Sequence, residues 1–189
     1  MSEGCIFALG RYQPLTSGHE KYLRNMIKLA RNQNKTPIIY VSKGSYKTRA
    51  DKTKNPFTQD ERMGMVKSIF PNVNVRKANS WPGAIADALQ KSHKEVSICV
   101  GSNRVNQFRA MMNSRNVGTI NGGTRNNGNT LSGVSGTKLR KLARNNKYTQ
   151  YRQNIPSAVT NNNVRWQMQT IQDRTPAPLP SRKRQRNTI

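Results

Sequence analysis

The sequence predicts an α/β protein: a doubly wound, Rossmann-like parallel sheet of about five strands, followed by a basic C-terminal extension. Three observations carry that expectation. Short apolar runs of strand length recur, at Cys5-Ile6-Phe7-Ala8-Leu9, Pro37-Ile38-Ile39-Tyr40-Val41 and Val96-Ser97-Ile98-Cys99-Val100. Between them lie segments with helical spacing of apolar residues, such as Tyr22, Leu23, Met26, Ile27, Leu29 and Ala30. A glycine-containing stretch, Gly10-Arg11-Tyr12-Gln13-Pro14-Leu15-Thr16-Ser17-Gly18-His19, joins the first strand to the first helix. In open α/β sheets that junction receives phosphates, because the free N–H groups of the helix start point at the ligand.

Taken in order, the first helix runs near Gly18–Asn32 and the second strand over Thr36–Val41. Ser42–Asn55 is rich in lysine and arginine (Lys43, Lys47, Arg49, Lys52, Lys54), which suits either a solvated loop or an anion-binding one. Thr58 with Glu61 three residues on is a capping-box pattern. Met63, Met65, Val66, Ile69 and Phe70 supply that helix's packing face, and Pro71 ends it. The helix reads as scaffold. Val73-Asn74-Val75 is a short third strand, and Trp81-Pro82-Gly83-Ala84-Ile85 opens the next helix, continued by Ala88 and Leu89. The fourth strand, Val96–Val100, leads into Gly101-Ser102-Asn103-Arg104-Val105, where a ligand-binding loop is expected. Gln107, Phe108, Met111 and Met112 continue as helix, and Val117–Ile120 is a fifth strand. Asn121–Gly133 is a loop of small and polar residues, either a tolerated surface insertion or a lid. Ser135-Gly136-Thr137 caps a basic helix over Lys138–Asn145. Tyr151, Ile155, Val159, Val164, Trp166, Met168 and Ile171 furnish one or two short helices. A proline-rich spacer, Thr175–Pro180, precedes the basic run Arg182, Lys183, Arg184 and Arg186. The expected division is a domain over 1–155, a helical extension over 156–174 and a disordered tail over 175–189, its arginines and lysine contacting nucleic acid.

Composition narrows the function. The 189 residues carry 33 Lys+Arg against 8 Asp+Glu, a formal net charge of +25, and a pI near 11.2 with mean hydropathy −0.85. Such a balance favours polyanionic partners, nucleic acid or an acidic protein surface. The asymmetry is local as well: between Glu95 and Asp173 there is no carboxylate. Cys5 and Cys99 both fall in apolar strands, which suits buried thiols better than a disulfide. No apolar run approaches a membrane span, so a soluble, cytoplasmic protein with no membrane partner is expected. His93 beside Lys94 reads as a surface residue. No zinc-ligand spacing, P-loop or hydrolase triad motif is present.

Gly10, Arg11, Tyr12, Pro14, Thr16, Gly18 and His19 resemble the first signature of the H-x-G-H nucleotidyltransferase superfamily in its T-x-G-H form. Val134-Ser135-Gly136-Thr137-Lys138-Leu139-Arg140 is similar to that family's second signature, I-S-S-T-x-x-R. The segment around Asn55-Pro56-Phe57 through Phe70-Pro71 resembles phage and viral members of the superfamily, cytidylyltransferase-like or adenylyltransferase proteins. The resemblance covers roughly residues 4–155.

It implies transfer of a nucleoside monophosphate from ATP or CTP to a phosphorylated small-molecule acceptor, with release of pyrophosphate. On that basis His19 donates to an α-phosphate oxygen, Thr16 holds the attacking phosphate and Lys43 or another loop lysine assists. Gly10, Arg11, Tyr12, Gly18, Gly101, Ser102, Asn103, Arg104 and Gly136 line the nucleotide, and Ser135, Thr137 and Arg140 hold the leaving pyrophosphate. Lys138 adds positive charge there. Mg²⁺ rides on the nucleotide's own oxygens, since hard oxygen ligands from the protein are scarce. Asn103 departs from the family's usual G-S-D-R-V by replacing an aspartate with an amide. That departure, with the charge and the tail, supports a second reading: a non-catalytic nucleic-acid-binding or virion structural protein built on the same fold.

Overall fold

The computed structural model describes residues 4–44, 50–90, 95–113, 117–123 and 135–175, leaving out the side chains of Asn103 and Asn113. Lys47, Arg49, His93, Val134, most of the 121–133 loop and the basic run at 182–186 lie outside the described residues. Five strands, β1 (Gly4–Gly10), β2 (Thr36–Ser42), β3 (Asn74–Ala78), β4 (Glu95–Val100) and β5 (Val117–Asn121), form one sheet in the order β3-β2-β1-β4-β5. Every pairing is parallel, with Phe7 opposite both Ile38 and Ile98. The helices are α1 (Ser17–Asn32), α2 (Gln59–Ile69), α3 (Trp81–Gln90), α4 (Val105–Asn113), α5 (Gly136–Arg144), α6 (Tyr148–Arg152) and α7 (Asn161–Arg174).

The central strands are mostly apolar because both faces of the sheet are covered. Ile6, Ala8, Ile39 and Val41 pack into a core with α1, α2, α5, α6 and α7. Cys5, Phe7, Ile38 and Tyr40 face the opposite core, with α3 and α4. The direction of winding reverses between β1 and β4, so a crevice opens at their carboxyl ends. Cys5 and Cys99 are buried free thiols, and burial pushes Cys5 up to about 11. Among the described residues no helix is long and apolar enough to cross a membrane.

The third strand differs most from expectation. It extends through Arg76 and Lys77, which a search for apolar runs passes over. β3 is an edge strand, where charged side chains are tolerated and protect against strand addition. Here Arg76 pairs with Asp87 (2.9 Å) and Lys77 with Asp60.

Candidate functional site

The β1–α1 loop is built around two close contacts. Tyr12 adopts a positive φ of 47° and lays its ring over Gly10, where a Cβ would fall 2.3 Å from the ring. Only glycine fits there. The same ring, 3% exposed, meets the His19 imidazole edge-on at a centroid distance of 5.4 Å. Thr16 caps α1, and the cap is reciprocal: the His19 N–H donates to Thr16 Oγ1 (3.1 Å) and the Thr16 N–H donates to His19 Nδ1 (3.1 Å). Thr16 Oγ1 also stands 2.9 Å from Nδ1. A nitrogen that accepts from a backbone N–H carries no proton, so in the neutral ring the proton sits on Nε2. Gly18, half-buried, occupies the first turn beside it.

The second signature lies against this loop. Ser135 caps α5 by accepting from the Lys138 N–H (3.2 Å). A Cβ on Gly136 would stand 2.8 Å from the Gln13 carbonyl oxygen, so this helix start is in backbone contact with the first signature. Arg140, 7% exposed, completes the junction. Its guanidinium donates to the carbonyls of Gln13 (2.7 Å) and Thr53 (2.9 Å) and to Thr137 Oγ1 (3.1 Å). Gln13 in turn is locked to Phe57, donating to its carbonyl (2.8 Å) and accepting from its N–H (3.1 Å).

Between these segments is a cavity of about 260 Å³ lined by Arg11, Thr53, Lys54, Thr137, Arg140 and Arg144. Among the described residues that line it, four are cations and none is acidic. Burial, then the neighbouring Arg11 and Arg144 charges, lower the Arg140 pKa. The cluster repels itself until an anion enters. The adjacent Asp51 carboxylate is committed elsewhere: it accepts from Thr53 Oγ1 (2.5 Å) and the Thr53 N–H (2.9 Å) and pairs with Lys54 (3.0 Å). These bonds, Thr53 first and then Lys54, hold its pKa down to about 2. Among the described residues no group of three or more His, Cys, Asp or Glu could hold a metal.

The remaining expected site residues sit along the same carboxyl edge of the sheet. Lys43 is exposed just past β2, its backbone N–H donating to the Ala78 carbonyl (3.0 Å). Gly101 and Ser102 are half-buried, with Ser102 Oγ 2.8 Å from Asn121 Oδ1, and Arg104 is exposed with its guanidinium 5.2 Å from the Phe108 ring centre. This loop therefore reaches toward the end of β5. Asn103 belongs to the short 3-10 turn Ser102–Arg104.

Sequence reasoning missed Gln13, Thr53, Arg62 and Arg144. Arg62 is 2% exposed on the inner face of α2 and donates to the carbonyls of Arg11 (2.6 Å), Ser42 (2.7 Å) and Thr58 (3.0 Å). Burial, and secondarily Arg11, lower its pKa to about 10. The signal was present: Arg62, Met65, Val66 and Ile69 share the packing stripe of α2, and an arginine in such a stripe needs buried acceptors. Two larger cavities, about 390 Å³ between α2 and α7 and about 350 Å³ between α1 and α2, hold neither His19 nor the Ser135–Arg140 segment.

Solved structures share this fold. A bifunctional NMN adenylyltransferase/ADP ribose pyrophosphatase from Francisella tularensis aligns at a TM-score of 0.64 and 21% identity, covering 90% of this chain and 52% of that one. Its complex with AMP and a manganese ion aligns at 0.55 and 19%, over 90% and 51%. Thermotoga maritima TmcAL bound with alpha-thio ATP aligns at 0.57 and 12%, over 92% and 57%. The chain thus spans just over half the length of these structures. No curated protein matches it by sequence. Residues 7–142, which include the whole β1–α1 loop and reach past Arg140, match the family described as cytidylyltransferase-like, and the chain belongs to that family.

Proposed function

We propose that the protein is a nucleotidyltransferase that moves a nucleoside monophosphate from ATP or CTP to a phosphorylated acceptor, releasing pyrophosphate. The observation that carries this reading is the contact of Gly136 and Arg140 with the Gln13 carbonyl, beside a positive cavity lined by Arg11 from the first signature and by Thr137 and Arg140 from the second. The triphosphate lies with its β- and γ-phosphates between the α5 start, Arg140, Arg144, Arg11 and Lys54. An acceptor oxygen attacks the α-phosphorus, a new P–O–P bridge forms and the α–β bridge breaks toward pyrophosphate. Catalysis is then positioning and charge neutralisation, for which no covalent enzyme intermediate is required.

In this reading His19 presents Nε2–H to the α-phosphate, where negative charge builds. Thr16, its hydroxyl committed to the capping box, acts by orienting that ring. Gly101, Ser102, Asn103 and Arg104 border the nucleoside, and Lys43 reaches the substrate from β2. Mg²⁺ fits as an ion carried by the triphosphate, because Asp51, the carboxylate beside the cavity, is already held by Thr53 and Lys54. The relatives named for NMN adenylyltransferase activity and for bound adenine nucleotides support ATP as a donor.

Purified protein incubated with each nucleoside triphosphate, Mg²⁺ and a panel of phosphorylated acceptors is expected to release pyrophosphate. Failure to bind any triphosphate at about millimolar concentration ends the proposal. The second reading, a non-catalytic nucleic-acid-binding or virion protein, draws on the charge of +25 and on Asn103. It predicts nucleic-acid binding with no pyrophosphate release from any donor and acceptor pair.

A further inference from the structure

The cavity is lined by Arg11, Lys54, Arg140 and Arg144, and a neighbouring run of cations extends past that lining. α5 turns Thr137, Lys138, Lys141, Arg144 and Asn145 to solvent, while Leu139, Arg140 and Ala143 are buried. Lys147 in the following turn and Arg165 on α7 are exposed too, and the Arg165 guanidinium lies 5.7 Å from the centre of the Tyr148 ring. Ion pairs among the described residues employ Glu20, Asp51, Asp60, Glu61, Asp87 and Glu95, none of them with these cations. The chain from Val96 to Gln172 has no carboxylate to supply. Lys138 in the first turn of α5 also opposes the helix dipole, with no acidic residue there to offset it. A surface held at such local electrostatic cost points to an anionic partner.

We propose that this face holds the sugar–phosphate backbone of a nucleic acid. Lys138, Lys141 and Arg144 follow one another at a rise of about 4.5 Å along the helix, and their long side chains can reach successive phosphates. Exposed Asn145 and Asn146 offer amide donors of the kind that position a strand through its phosphate and sugar oxygens. The exposed Arg165 guanidinium, beside the half-buried Tyr148 ring, adds a planar group on which a base can stack, a feature an acidic protein would not need. Arg144 belongs to both the face and the cavity, so a strand held here approaches the phosphate site. This surface stands on α5 and its neighbours and does not depend on the transfer reaction.

The test uses the full chain and fluorescence anisotropy with a labelled single strand of about 20 nucleotides, as DNA and as RNA. Affinity is expected to fall linearly on a log–log salt plot, with a slope of about −0.7 per phosphate contacted. The pair Lys141→Glu and Lys147→Glu is expected to weaken binding at least about tenfold and flatten that slope. A charge-matched pair on α1 and α2, Lys28→Glu and Lys67→Glu, is expected to cost less than about threefold. Thermal unfolding of both double variants checks that each remains folded. Equal losses in the two pairs would assign the affinity to net charge and overturn the proposal. So would absent or salt-insensitive binding, or polyglutamate binding as tightly as the strand with the same dependence on Lys141 and Lys147.

Discussion

The N3 position of a capping box is ordinarily glutamate or glutamine; in α1 it is His19. The imidazole satisfies the Thr16 N–H through Nδ1 and so fixes which nitrogen bears the proton and where it points. Cap and function can therefore be separated by substitution. His19→Gln retains a side chain able to close the box, so its thermal unfolding midpoint is expected within about 2 °C of the parent. Its pyrophosphate release is expected to fall by about 10² to 10³, the usual loss for one donor to a developing oxyanion. Parent-like turnover in that variant would remove His19 from the chemistry. Gly136→Ala probes the junction between the two signatures. A Cβ 2.8 Å from the Gln13 carbonyl must push two backbones apart, which costs about 1–3 kcal/mol. Nucleotide affinity is expected to drop at least about tenfold in a calorimetric titration, because Arg140 is carried away with the helix.

At the scale of elements, α7 clamps the segment that supports the first loop. Arg174 pairs with both Glu61 oxygens (2.7 and 2.8 Å) and donates to the Pro56 carbonyl (3.0 Å). Trp166 packs on Phe57, and Phe57 holds Gln13. Hydrogen bonding from Arg174 is the chief cause holding Glu61 below its ordinary 4.5. A carboxyl with a depressed folded pKa contributes stability that is present above the unfolded value and lost as pH falls through the folded one. Glu61→Gln is therefore expected to be destabilising at pH 7. The difference from the parent should shrink steadily below pH 4.5, as followed by urea unfolding at a series of pH values. A constant difference across that range would mean that the Glu61 charge contributes nothing to stability. Most elements around this clamp were legible in the sequence. Thr58 and Glu61 announced the start of α2, and the apolar strands announced the sheet, because those signals lie within a few residues of one another. The clamp was not. Residues 113 positions apart meet only through the fold, and the buried Arg62 looks like surface charge until its carbonyl partners are placed around it.

For the molecule as a whole, the site depends on a junction between Gln13 and Arg140, 127 positions apart. The two signatures could be read from the residues by resemblance to a family. Their closure around one cavity required the α5–α7 layer that packs over the first loop and α2, and no local pattern encodes that placement. Part of this layer lies beyond residue 142, where the family match ends. Val164, Met168 and Ile171 of α7 belong to the same buried cluster as Ile6, Leu23 and Val66. Each such side chain contributes about 1.5–3 kcal/mol on burial, so the three together rival the 5–15 kcal/mol that holds an ordinary domain folded, to within roughly a factor of two. Two truncations follow from this. A chain ending after Thr175 keeps the clamp and the α5 face, and is expected to unfold within about 2 °C of the parent and to bind triphosphate equally well. It also lacks Arg182, Lys183, Arg184 and Arg186, so its salt dependence with nucleic acid should flatten by the phosphates those residues contact, while the dependence on Lys141 and Lys147 persists. A chain ending after Thr160 leaves the inner faces of α2 and α5 uncovered and is expected to lose its cooperative thermal transition. If the shorter chain instead melts cooperatively and binds triphosphate, α7 is an appendage and the clamp contributes nothing to the site.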